Sequence, residues 1–83
     1  MARTGWMIQI GATDHIAQAS ELLARAKAQE PHSLSRAKPF TEKIRKGTET
    51  FYRARFAGLE AETAEAACRS LKRSGFACFA TKN

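Results

Sequence analysis

A glutamine, an aromatic ring and two arginines stand at alternating positions in two strand-like stretches of this chain. Trp6-Met7-Ile8-Gln9-Ile10-Gly11 alternates in character, and so does Phe51-Tyr52-Arg53-Ala54-Arg55-Phe56. Successive side chains of a strand point to opposite faces. Trp6, Ile8 and Ile10 therefore share one face, and Met7, Gln9 and Gly11 the other. Tyr52, Ala54 and Phe56 point inward, which turns Phe51, Arg53 and Arg55 outward. The chemistry available outside is an amide that donates and accepts hydrogen bonds and a flat apolar ring. Two guanidiniums suited to bidentate pairing with carboxylates complete it.

Other candidate chemistry fails on context. Ser35-Arg36-Ala37-Lys38 fits the S-x-x-K pattern of serine nucleophiles, but that motif belongs at a helix start. Here it enters a weak strand, the S-D-N and K-T-G companions are missing, and Lys46-Gly47-Thr48 has the wrong order. No catalytic residue is assigned. His15 and His32 have no cysteine or carboxylate at ligand spacing, so no metal is expected. No carboxylate pair stands out for acid–base work. No glycine-rich loop cradles a phosphate, and no cofactor is expected.

The elements that position these groups follow from periodicity. After the first strand, Thr13 or Asp14 is placed to cap a helix over about 14–29. Its stripe is Ala19, Leu22, Leu23 and Ala26. Pro31 and the polar stretch His32-Ser33-Leu34-Ser35 end it. A weaker strand spans 37–45, with Pro39 favouring a sheet edge. Lys46-Gly47-Thr48-Glu49 is a turn, and the third strand covers 50–57. A second helix over 61–74 carries Ala64, Ala67, Cys68 and Leu71, ends at Gly75, and is followed by a strand over 77–81. The order βαββαβ contains a repeat, because Ile8-Gln9-Ile10 precedes Ala54-Arg55-Phe56 by 46 residues in matching phase. The expected fold is α+β: a four-stranded antiparallel sheet with both helices on one face. The other sheet face is open.

Composition narrows the partners. The chain has 83 residues and a formal charge of +6, enough for one small domain. The charge favours an anionic partner: nucleic acid, acidic lipid or acidic polysaccharide. No apolar run is long enough to span a bilayer, so no membrane insertion is expected, and the first residues lack the apolar stretch of a signal peptide. Residues 1–4 read as linker or added residues before a domain at 5–81, cut from a longer protein. Arg73-Ser74-Gly75-Phe76-Ala77-Cys78-Phe79 loosely matches an RNA-recognition signature, but that signature belongs on the third strand. RNA binding therefore stays the rival reading rather than the leading one. Cys68 and Cys78 are either two inert buried thiols or a disulfide. Seven helical steps before Gly75 and three strand steps after it bring both to the same height, which favours the bond. The helix–sheet spacing is near its upper limit. A bond would imply an oxidising compartment.

Taken in order, these stretches resemble the SPOR (sporulation-related repeat) domain. The matching elements are Gly5-Trp6-Met7-Ile8-Gln9-Ile10-Gly11-Ala12, an alanine- and leucine-rich helix, and Phe51-Tyr52-Arg53-Ala54-Arg55-Phe56-Ala57-Gly58-Leu59. Leu71-Lys72-Arg73-Ser74-Gly75 then matches the L-K-x-x-G element of that family. The cysteine pair and the Arg-Ala-Arg-Phe-Ala-Gly run look most like the C-terminal SPOR domains of bacterial D-alanyl-D-alanine carboxypeptidases. Thr13 and Ala57-Gly58-Leu59 depart from the aromatic and the Gly-Pro-Phe usual in that family at the strand–helix edge. The resemblance implies a non-catalytic, monomeric module of the periplasm or cell envelope that localises a larger protein at division septa. Its implied partner is peptidoglycan glycan, preferentially strands without stem peptides, rather than nucleic acid. The glycan would lie on the open face, with Gln9 and Phe51 prominent, Arg53 and Arg55 facing muramic carboxylates, and Met7 beside them.

Overall fold

The computed structural model describes residues 5–82, so the expectation for residues 1–4 lies outside the described residues. Four strands and two helices follow one another as β1 (Trp6–Thr13), α1 (Ile16–Gln29), β2 (Lys38–Lys46), β3 (Glu49–Leu59), α2 (Ala61–Arg73) and β4 (Phe79–Lys82). The strands form one antiparallel sheet in the order β2-β3-β1-β4. The βαββαβ architecture read from the sequence is the one that forms.

Both helices pack on one face of the sheet. The alanine stripes let them approach closely: Ala19 and Ala26 of α1, and Ala64 and Ala67 of α2, are all fully buried. Ile8, Ala54 and Phe56 meet them from the sheet, with Leu71 beside them. One core residue comes from an unexpected place. Leu34, in the turn between α1 and β2, is completely buried, although its neighbours are polar.

Two bulges reset the alternation along the central strand pair. β1 and β3 pair Gln9 with Arg55 but Gly11 with Ala54, so β1 carries one extra residue at Ile10–Gly11. Such a bulge shifts every later side chain by one position. Gly11 therefore faces the helices, not the open side with Met7 and Gln9 as the simple alternation has it. A Cβ there would lie 2.9 Å from Leu22 Cδ2, at a φ of +155°. The bulge also lets β1 continue through Thr13, paired with Tyr52. Thr13 is thus still strand, and α1 starts at Ile16 with His15 as its N-cap rather than Thr13 or Asp14. The Thr13 hydroxyl donates to the His15 carbonyl at 2.7 Å instead. On β3 the extra residue lies at Ala57–Gly58. Phe56 and Leu59, three apart in sequence, are therefore both buried.

Local chemistry fixes the remaining ends. Gly47, with φ +64°, opens the two-residue turn between Lys46 and Glu49, the position where a tight hairpin requires a left-handed residue. α2 closes in a Schellman arrangement. The Phe76 N–H donates to the Leu71 carbonyl at 2.9 Å and the Gly75 N–H to the Lys72 carbonyl at 3.1 Å. That turn sends the chain back under α2, and Cys78 bonds Cys68 with the two Cα atoms 5.2 Å apart. Of the two alternatives for the cysteines, the disulfide is the one present. Because it closes only a short loop, with the cysteines 10 apart in sequence, reduction is expected to cost about 2–3 kcal/mol. Thermal melts with and without reductant measure this. An unchanged melting temperature would contradict it, and β4 would then be held by pairing alone.

Candidate functional site

The helix-free face of the sheet is built by alternate residues of all four strands. β2 contributes Phe40, Glu42 and Ile44, which lie opposite Arg55, Arg53 and Phe51 of β3. β1 contributes Gln9 opposite Arg55, and β4 places Phe79 opposite Gln9. One row thus crosses the whole sheet: Phe40, Arg55, Gln9 and Phe79. With three inter-strand gaps it is about 14 Å long. Aromatic rings mark its two ends, and polar groups its middle.

Arg55 organises that middle. Its Nε donates to Gln9 Oε1 at 2.8 Å, and its Nη1 contacts Met7 Sδ at 3.3 Å. The same Nη1 lies 3.3 Å from Glu42 Oε1. Only 16% of the Arg55 side chain is exposed, so it is a fixed part of the surface rather than a waving charge. A guanidinium has donors only, and this settles which way the glutamine amide points. Gln9 must turn its oxygen to Arg55 and present its NH₂ outward. Arg53, on the next row, lies 3.6 Å from the same Glu42 oxygen. Lys38 and Lys46 share the face at the two ends of β2 and are exposed. Gln9 and the basic groups therefore turn donors outward, toward ligands rich in acceptors.

The structure gathers the expected site residues unequally. Gln9 and Arg55 touch. Met7 is on the same face but only 8% exposed, lying beneath the Arg55 guanidinium as a floor. Arg53 joins the cluster through Glu42. Phe51 stands apart: it pairs with Ile44 and lies past the end of the β1 pairing. Four residues along β3 separate it from the Arg55 row, about 14 Å. Phe79 is the most exposed large aromatic of the described residues, at 52%, and sits in the Gln9 row. The sequence held the signal for it, since Cys78 points inward and the next residue of a strand must point out. Phe40 and Glu42 had no comparable signal, because β2 read only as a weak strand. The tail stretch that loosely matches an RNA signature is divided: Arg73 ends α2, Gly75 turns the chain, and Phe79 alone belongs to the platform.

Among the described residues no group of three or more His, Cys, Asp or Glu could hold a metal ion, and no helix is long and apolar enough to cross a membrane. The fold and the face together define a class: a small α+β domain that presents one bare sheet surface. The chain belongs to the SPOR domain family, whose family model matches residues 2–82. Its fold is similar to that of the RlpA SPOR domain from Pseudomonas aeruginosa, with a TM-score of 0.77 at 16% identity, covering 95% of this chain and all of that one. It is also similar to the peptidoglycan binding domain of the B. subtilis cell wall lytic enzyme CwlC. That TM-score is 0.68 at 20% identity, over all of this chain and 95% of the other. No curated protein matches the sequence.

Proposed function

We propose that this domain is a non-catalytic peptidoglycan-binding module that holds glycan strands on its open sheet face. The observation that carries the reading is the Phe40–Arg55–Gln9–Phe79 row, with aromatic ends and outward donors between them. Sugar rings have apolar C–H faces that pack on aromatic rings. Their acetamide carbonyls accept from an amide such as that of Gln9. The preferred ligand is glycan stripped of stem peptides. Removing the peptide frees the lactyl carboxylate of each muramic acid, which Arg53 and Arg55 can pair. A retained peptide masks that carboxylate as an amide and crowds the platform, so attraction and exclusion select the same strands. Family membership and the peptidoglycan-binding domain among its structural neighbours support this assignment. The Cys68–Cys78 bond fits an oxidising, extracytoplasmic compartment. On this reading the domain acts as a monomer in the periplasm. It localises a larger envelope protein, a serine-type D-alanyl-D-alanine carboxypeptidase, at septal wall rich in denuded strands.

The test compares retention of the purified domain on intact and on amidase-treated sacculi, with RNA as the competing ligand. Stronger binding to the treated sacculi is expected. Equal binding to both would remove the denuded-strand preference, and capture by RNA alone would remove the glycan. Phe79→Ala should weaken binding by about 1–3 kcal/mol, the range for truncating an interface anchor. Phe51→Ala should cost less, because its ring lies far from the Gln9 row. Undiminished binding by both variants would move the site off the sheet.

A further inference from the structure

Glu42 lies against both of the arginines to which the glycan reading assigns a ligand carboxylate. Its Oε1 lies 3.3 Å from Arg55 Nη1 and 3.6 Å from Arg53 Nη1. That oxygen is shielded from solvent and makes no hydrogen bond. The contact is therefore electrostatic without the in-plane, bidentate geometry that gives arginine–carboxylate pairs their strength. Two features make it displaceable. Glu42 is on β2, an outer strand of the sheet, and 42% of its side chain is exposed, so a rotamer change returns the carboxylate to water. An incoming carboxylate is not tied to the β2 backbone and is free to align with the guanidinium planes.

We propose that Glu42 is a built-in competitor for the ligand's carboxylate, an assignment that rests on the glycan reading above. In the free domain it neutralises part of the charge of two adjacent guanidiniums, which would otherwise repel each other. Binding exchanges one carboxylate for another. A lone small anion gains little from that exchange, because it loses to a tethered group. A polymer that also packs on Phe79 and bonds Gln9 gains enough from those contacts to complete it. Glu42 thus lowers the affinity for every carboxylate by the same amount, a threshold that a free anion fails to pass and that a strand passes through its contacts with Phe79 and Gln9.

The experiment titrates wild type and Glu42→Gln with N-acetylmuramic acid and with N-acetylglucosamine, following the Arg53 and Arg55 Nε–H signals by NMR. The variant is expected to bind N-acetylmuramic acid roughly two- to fivefold more tightly, in line with removing a partly exposed ion pair. That gain should shrink at high salt, and N-acetylglucosamine should show none. Unchanged or weaker binding of N-acetylmuramic acid would overturn the proposal and make Glu42 a strut that holds the arginines in place. An equal gain on both sugars would overturn it too, by removing the carboxylate from the effect. Retention of the wild type on amidase-treated sacculi tests the glycan reading separately. If the wild type fails there while Glu42→Gln still gains on N-acetylmuramic acid, the competitor stands and the glycan reading falls. If the wild type binds sacculi and the variant gains nothing, the reverse holds.

Discussion

Leu34→Ala is expected to destabilise the domain by about 2–5 kcal/mol, the range for deleting a fully buried leucine. The side chain is completely covered and belongs to the same cluster as Ile8, Phe56 and Leu71. Its backbone is pinned on both sides. The Leu34 N–H donates to the Glu30 carbonyl and the Ala37 N–H to the Leu34 carbonyl, each at 3.1 Å. The loop therefore has no freedom to slide and refill the space, and the cavity persists. Domains of this kind have roughly 5–15 kcal/mol in all, so the loss is a large share of the whole. It also reaches the site, because this loop delivers the chain to β2 and so to Phe40 and Glu42. Urea unfolding of Leu34→Ala beside Ser35→Ala makes the comparison. The exposed serine should change stability by no more than about 0.5 kcal/mol. A loss under about 1 kcal/mol for the leucine would mean the loop is decoration on the core rather than part of it.

Leu34 also shows where the sequence stops being legible. Helices and strands announce themselves through repetition: Ala19, Leu23 and Ala26, and Ala64, Ala67, Cys68 and Leu71, are buried as their periods predict, while Leu22 of the same stripe is only partly buried against the core. A single leucine among His32, Ser33 and Ser35 has no period, so it reads as loop. Gly11 fails for a related reason: alternation carries no mark of the bulge at Ile10–Gly11, and one extra residue sends it to the other face. The centre of the candidate site was more accessible. The 46-residue repeat puts Gln9 and Arg55 at equivalent positions, and these two residues pair directly across β1 and β3. A repeat that folds onto itself brings equivalent positions together at its midpoint. What no repeat could supply was the register of β2, a strand with no matching partner in the pattern. Glu42, and with it the ion pairs to Arg53 and Arg55, stayed invisible until that register was known.

Arg55→Ala should therefore weaken binding to amidase-treated sacculi more than any other single change on the platform, by about 2–3 kcal/mol. Three consequences act together. The variant loses a guanidinium able to meet a muramic carboxylate. It frees the Gln9 amide to rotate, so the outward NH₂ is no longer fixed by the 2.8 Å bond to Arg55 Nε. It also uncovers Met7 and leaves Glu42 with Arg53 alone. Arg55→Lys separates charge from geometry. An ammonium keeps the attraction, but it is a compact point charge on a flexible stem and lacks the planar fork that serves Gln9, Met7 and Glu42 at once. Lysine should recover part of the affinity and its salt sensitivity, and leave Gln9 loose. The Gln9 side-chain amide signals provide the readout that a loss of stability alone would not move. In the wild type they should be distinct and slow to average; in both variants they should converge on those of a free glutamine, with the melting temperature little changed. If Arg55→Ala binds as well as the wild type while Gln9 is demonstrably loosened, the row through Gln9 and Arg55 is not where the glycan lies. If Lys restores full affinity, charge rather than the fixed geometry of Gln9 governs the site.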